Sequence, residues 1–125
     1  MWTHSIPSSI RRGNPRRQGL IGLGDAIAWF CSQGYDVCLP LNDSQKYDLV
    51  VQRDDGKFRR VQVKTTTSRN RRGRFCVDLA TNGGNRSRST RETFDPRHYE
   101  LLYVLTDGGA RYLIPSERIE ARYSI

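Results

Sequence analysis

Lys46-Tyr47-Asp48-Leu49-Val50-Val51 and Arg60-Val61-Gln62-Val63-Lys64-Thr65 are two apolar, β-branched runs, and Arg53-Asp54-Asp55-Gly56-Lys57 stands between them. Asp-Gly between such runs is a short-range signal for a β-hairpin. Side chains alternate between the two faces of a strand, so Val61 and Val63 share one face and Gln62 and Lys64 the other. Asp48 interrupts the apolar run of the first strand. The turn decides whether these polar groups meet. A two-residue loop, Asp55-Gly56, would pair Asp48 with Val63 and set it across the sheet from Gln62 and Lys64. A three-residue loop, Asp54-Asp55-Gly56 with Gly56 left-handed, pairs Arg53 with Lys57. Asp48 then lies opposite Gln62, Leu49 opposite Val61 and Tyr47 opposite Val63. The second register gathers Asp48, Gln62 and Lys64 on one face, and a slip of one residue would bury that polar set. It is therefore the expected register. A carboxylate, an amide oxygen and an ammonium within a few ångströms form a site suited to a divalent metal and a phosphate.

Asp48 followed by Gln62-Val63-Lys64 resembles the core of the PD-(D/E)xK nucleases, with Gln in the usual acidic position. The order of four pieces strengthens the likeness: Gly22-Leu23-Gly24-Asp25-Ala26-Ile27-Ala28, Gly34-Tyr35-Asp36-Val37, Tyr47-Asp48-Leu49-Val50-Val51 and Val61-Gln62-Val63-Lys64-Thr65. Together they resemble the branch with archaeal-type Holliday junction resolvases and a Gln-x-Lys group I intron-encoded homing endonuclease. The resemblance covers residues 19–66 well. Phe94-Asp95 and Tyr112-Leu113-Ile114-Pro115 fit more loosely. It implies an α/β fold with a restriction-endonuclease-like core. That core is a central mixed β-sheet of about five to six strands with an N-terminal helix packed on it. It also implies a metal-dependent DNA endonuclease using Mg²⁺, or Mn²⁺ in its place. Asp48 would bind the metal directly, Gln62 would offer its amide oxygen, and the family pattern adds the Val63 carbonyl. Lys64 would orient or help deprotonate the attacking water and hold the phosphate. Asp25, where the family usually carries Glu, would complete the acid set, through water because Asp is one methylene shorter. Replacing an acid by Gln62 removes one negative charge and should lower metal affinity.

The chain of 125 residues, 36% of them hydrophobic, has the length of one domain with a modest core. We expect a basic N-terminal arm over residues 1–18 and a single nuclease-like domain over 19–125. No apolar run is long enough to span a membrane, and no apolar secretory signal opens the chain. Cys31, Cys38 and Cys76 are an odd number without Cys-x-x-Cys spacing, which speaks against disulfides and zinc and for a reducing cytoplasm. Net charge is +8 and the pI about 9.9, from 18 Arg and 3 Lys against 13 acids. Arginine's planar fork suits phosphate, so the partner expected is a polyanion.

Along the chain, Arg11-Arg12 and Arg16-Arg17 belong to the arm, which is either laid on a partner or a solvated tail. A helix is expected from about Leu20 to Gln33, with a stripe of Leu20, Leu23, Ile27 and Phe30 and a stop at Gly34. Asp25 lies off that stripe: it is either a carboxylate favoured near the helix N-terminus or a site acid aimed at the sheet. Tyr35–Leu41 reads as a strand ahead of the hairpin, Phe75–Ala80 as a fourth strand, Tyr99–Thr106 as a fifth and Arg111–Pro115 as a sixth. Ser116 and Glu117 can start a short terminal helix. From Lys64 to Arg91 there are eight basic residues and one acid, Asp78. Arg69, Arg71, Arg72, Arg74, Arg86 and Arg88 flank the site and are the expected contacts to DNA phosphates, against the bland reading of a solvated face. His4 and His98 have no partner at ligand spacing and read as surface residues.

The partner expected is therefore duplex or branched DNA, and cutting both strands calls for a homodimer or higher oligomer. Two other classes fit the same residues. One is a nuclease fold that holds nucleic acid without turnover. The other is a basic interaction protein of a mobile-element or phage assembly.

Overall fold

A computed structural model describes residues 14–82, 91–121 and 125. Helix α1 (Pro15–Ser32) starts five residues earlier than the stripe led us to expect, because Asn14 caps it and Pro15 takes the first turn. The Asn14 side chain accepts from the Arg16 N–H at 3.1 Å. Arg16 and Arg17 thus belong to the helix, while residues 1–13 of the expected arm lie outside the described residues. At the other end, Gly34 has φ +83°. The Tyr35 N–H reaches the Phe30 carbonyl at 3.0 Å and the Gly34 N–H the Cys31 carbonyl at 3.1 Å. That pair of bonds is a Schellman stop, and the rings of Phe30 and Tyr35 meet edge-on at 5.1 Å beneath it.

Strands β1 (Asp36–Cys38), β2 (Leu49–Gln52) and β3 (Phe58–Thr66) follow as an antiparallel meander. Two-residue strands β4 (Thr81–Asn82) and β5 (Arg91–Glu92) make a separate small ribbon. Strands β6 (Leu101–Thr106) and β7 (Arg111–Pro115) complete a five-stranded sheet of order β1-β2-β3-β6-β7. β3 and β6 run parallel and the other pairs antiparallel, so the sheet is mixed, as expected. A 3₁₀ turn over Ser116–Arg118 stands where the terminal helix was expected.

The central hairpin has the expected register. Leu49 lies opposite Val61 and Gln52 opposite Phe58, and the Gly56 N–H bonds the Arg53 carbonyl at 3.0 Å. Gly56 has φ +72°, the left-handed residue that the three-residue loop requires.

Both faces of the sheet are covered. On one, Phe30 and Ala26 of α1 meet Leu49, Val51, Val61, Tyr103 and Leu105. The buried helix positions are Gly22, Asp25, Ala26 and Phe30, and Leu20 is largely exposed. The contact stripe is therefore rotated from the expected one. Small residues at 22 and 26 let the helix backbone come down onto β3. A methyl group at Gly22 would run into Thr65 Cγ2. Trp29 packs on Phe30 and Tyr103.

On the other face, Val77, Leu79, Phe94 and Tyr99 cover Leu102 and Val104. This corrects the expected fourth strand. Phe75–Ala80 does not join the sheet: Phe75 makes a single bridge to Arg69, and Val77 exchanges two backbone bonds with Ile125. Its alternating apolar residues serve as a lid on the core rather than as a ladder.

Candidate active site

Strand pairing locates the site. Asp48 sits one residue before β2 begins, and its N–H bonds the Val61 carbonyl at 2.8 Å. Its carboxylate Oδ2 accepts the Val63 N–H at 2.8 Å. The side chain thus takes up the backbone donor that β3 presents where β2 stops. Beyond that rung β3 continues alone against β6, with Gln62 beside Leu102 and Lys64 beside Val104. The departure of β2 leaves a notch, open as a cleft of about 450 Å³. The hairpin lines it with Asp48, Gln62 and Val63, and α1 with Arg16, Gly19, Leu20 and Leu23.

Burial dominates the electrostatics. It pushes the Asp48 carboxyl above its usual range, although the Val63 N–H and the Lys64 charge pull the other way. It pulls the Lys64 ammonium below its usual range, against the attraction of Asp48 and Asp78. Each ionised group is held with less water than it would have outside, and each supports the other. Gln62 is 9% exposed, and its amide nitrogen lies 3.5 Å from the Val63 carbonyl oxygen. Tyr99 is buried, and its hydroxyl has no hydrogen-bond partner among the described residues. Burial, and then the negative charge of Asp48, pushes its pKa up to about 12. A neutral phenol donor is therefore held within electrostatic reach of the site carboxylate. One carboxylate, an amide and a peptide carbonyl offer the oxygen ligands that fit a hard, partly hydrated cation such as Mg²⁺. No group of three or more His, Cys, Asp or Glu residues gathers among the described residues.

Asp48, Gln62, Val63 and Lys64 are thus brought together. Asp25 is held elsewhere, between α1 and strands β6 and β7. Both its oxygens are taken by Arg111, at 2.7 and 2.8 Å, and one of them also accepts the Tyr103 hydroxyl at 2.7 Å. Leu23, not Asp25, lines the cleft from the helix, together with Arg16, Gly19 and Leu20. The sequence reading missed Leu23, Arg16 and Tyr99. The two-residue offset between 23 and 25 turns a side chain by roughly 200° around a helix. Only the true contact stripe, set by Gly22 and Ala26, tells which one faces the notch.

The arginine stretch beside the site is an ordered turn. The Asn70 side chain accepts from the N–H groups of Arg72 and Arg74, and Gly73 takes φ +77°. Arg69 stacks over the Phe75 ring at 4.0 Å and lies 3.9 Å from Asp107. Arg71, Arg72 and Arg74 are exposed on the tip. Thr66, at the end of β3, donates to the Cys76 carbonyl and accepts the Ser68 N–H, which ties this arginine turn to the strand that carries Lys64. Arg86 and Arg88 lie outside the described residues. No described helix is long and apolar enough to cross a membrane.

The model of a family described as PD-(D/E)XK endonuclease matches residues 14–125. Among solved structures, that of a bacterial homing endonuclease, I-Ssp6803I, is similar, with a TM-score of 0.74 and 25% sequence identity. The match covers 90% of this chain and 77% of that one. No curated protein matches the sequence.

Proposed function

Because the chain belongs to the PD-(D/E)XK endonuclease family, we propose that it is a divalent-metal-dependent DNA endonuclease whose active site is the notch at Asp48. The observation that carries this reading is the strand register. It sets a backbone-anchored carboxylate, Asp48, beside Gln62 and Lys64 at the rim of an open cleft. Asp48, the Gln62 amide oxygen and the Val63 carbonyl would hold Mg²⁺, or Mn²⁺ in its place. For Gln62 this requires a half-turn of the amide, which exchanges two groups of nearly equal size. When bound, the cation lowers the pKa of a coordinated water and offsets charge on the phosphate under attack.

The chain's own groups do the rest. Lys64, held partly buried with its pKa lowered, orients the attacking water, accepts its proton when neutral, and holds a phosphate oxygen when charged. Arg16, on the opposite wall of the cleft, grips a neighbouring phosphate. Arg71, Arg72 and Arg74 extend that grip along the duplex, with Arg69 bracing their turn. Asp25 acts at a distance, by fixing α1 to the sheet through Arg111 and Tyr103. Two-strand cleavage calls for two copies of the site and hence a homodimer or larger assembly.

A second reading, a nuclease fold that binds nucleic acid without turnover, draws on the same cleft having one carboxylate. Incubation with supercoiled, linear and four-way-junction DNA, with and without Mg²⁺, separates the two. The endonuclease reading expects Mg²⁺-dependent nicking or cutting that a chelator stops. Binding without cleavage in Mg²⁺ and Mn²⁺ on all three substrates favours the second.

A further inference from the structure

A single acid, Asp78, stands in the basic stretch from Lys64 to Arg91. Its place is set by the segment that carries it. Cys76 is fastened to the end of β3: its carbonyl accepts the Thr66 hydroxyl, and its N–H bonds the Ser68 carbonyl at 2.9 Å. Val77 and Leu79, on either side of Asp78, are buried against Leu102 and Val104 of β6. Those two residues are the register partners of Gln62 and Lys64, and paired residues point to the same face of a sheet. Asp78 is therefore held over the stretch of sheet from which the Lys64 side chain rises. It is exposed, and its Oδ1 accepts the Ala80 N–H at 3.0 Å. Its negative charge reaches the Lys64 ammonium, second in strength to that of Asp48. Asp48 comes from the β2 side of β3 and Asp78 from the β6 side, so Lys64 has a carboxylate on each flank.

We propose that Asp78 is a positioning residue for Lys64, whose carboxylate holds the ammonium over the site from the β6 side. The inference rests on the endonuclease reading above and adds to it a residue from outside the hairpin that carries Asp48 and Lys64. In that reading the charge of Asp48 is committed to the cation, and a lysine ends on a long, flexible stem. A second carboxylate limits where the ammonium can go, and a misplacement of about 1 Å at a reacting centre can cost about 10²-fold in rate. An acid beside a path for phosphates otherwise only weakens DNA binding, by like-charge repulsion. Removing its charge therefore has two effects of opposite benefit: slower cleavage, and DNA held as well as before or better.

The test is made on the full chain and separates the turn at Asp78 from its charge. Asp78→Asn keeps an oxygen for the Ala80 N–H and loses the charge. Asp78→Glu keeps the charge and gives up the short reach to that N–H. Cleavage of one duplex is followed in Mg²⁺, DNA affinity by fluorescence anisotropy in Ca²⁺, and folding by thermal melts. Asp78→Asn should show kcat lower by about 10–10²-fold, KM and Kd equal to wild type or lower, and an unchanged melting temperature. Asp78→Glu should stay within a few-fold of the wild-type kcat. In Lys64→Ala, adding Asp78→Asn should cost nothing further, because groups that act through one contact are not additive. A wild-type or faster kcat in Asp78→Asn overturns the inference and leaves the endonuclease reading standing. So does a loss that appears in KM alone, a loss in Asp78→Glu as large as in Asp78→Asn, or the full loss repeated on top of Lys64→Ala. A wild type that cuts no DNA in Mg²⁺ or Mn²⁺ overturns both.

Discussion

Asp48 holds its position against its own solvation. Its carboxylate is taken up by a backbone N–H at 2.8 Å, yet burial raises its pKa above the ordinary 3.8. The folded state therefore binds a proton that the unfolded chain has already released. Stability contributed at this position falls as pH rises from about 3.8 through the raised value. Asp48→Asn keeps an oxygen for the Val63 N–H and removes the charge. We expect wild type and variant to be similar in stability below that window. Above it the variant should melt higher by roughly 2–6 °C, as about 1 kcal/mol gives a domain of this size. Thermal melts across pH check this; equal melting temperatures at neutral pH would mean that burial does not strain Asp48. At this scale Asp48, Gln62 and Lys64 were legible in the sequence. Two loop lengths were open, but a strand's period is two, so only the three-residue loop brings the polar set onto one face. Leu23, Arg16 and Tyr99 were not, because their roles depend on how a helix is rotated and on which hydroxyl is left without a partner.

Elements carry the second group of consequences, and α1 carries the clearest. Gly22 and Gly24 are both mid-helix glycines with opposite surroundings. A Cβ at Gly24 meets nothing within 4 Å, while one at Gly22 collides with Thr65. Gly24→Ala should stabilise by about 0.5–1 kcal/mol, the helix propensity difference. Gly22→Ala should destabilise by about 1–3 kcal/mol, because overpacking exceeds that gain. Urea denaturation of both variants gives the signs; a stable Gly22→Ala would mean that α1 stands further from β3 than described. Arg111→Leu is the matching test for the far end of the helix contact. The Asp25 side chain is 4% exposed, so removing the guanidinium leaves a buried carboxylate without its bidentate partner. We expect a loss of about 3 kcal/mol by the same method. The elements themselves were legible where a glycine stop or turn marked them, as at Gly34 and Gly56, but not at the helix start, where the Asn14 cap and Pro15 lie inside a run read as an arm. Phe75–Ala80 was misread because its alternation of apolar residues suits any segment lying flat on a core. The sequence has no mark for whether such a segment finds a strand to pair with. Asp25 was misjudged for a related reason: its counter-ion, Arg111, lies 86 residues away.

Across the whole molecule, the net charge is +8. Near the end of β3 that carries Lys64, an exposed turn with Arg71, Arg72 and Arg74 is tied down through Thr66 and Cys76. If these arginines meet phosphates, the log of affinity falls with log salt by about 0.9 per contact on duplex DNA. Arg71→Ala/Arg72→Ala should flatten that slope by about 2, or less if one of them does not reach the backbone. The loss should be alike on two unrelated duplexes, because phosphate contacts carry no sequence information. An unchanged slope would take this turn off the DNA surface. The basic character was legible from composition alone. That the arginine run is a braced turn was not, since it depends on Asn70 closing the loop and Arg69 stacking on Phe75.

The central claim is that the notch at Asp48 performs phosphodiester hydrolysis with Lys64 as the group that acts on water and phosphate. It is tested most directly by measuring cleavage and binding of one DNA substrate by wild type and Lys64→Ala under the same Mg²⁺ conditions. The account predicts that cleavage falls by about 10²–10⁴-fold, the range for loss of a general acid–base group. DNA affinity should stay within a few-fold of wild type, because one phosphate contact of several is lost. A Lys64→Ala protein that cuts at the wild-type rate would contradict it.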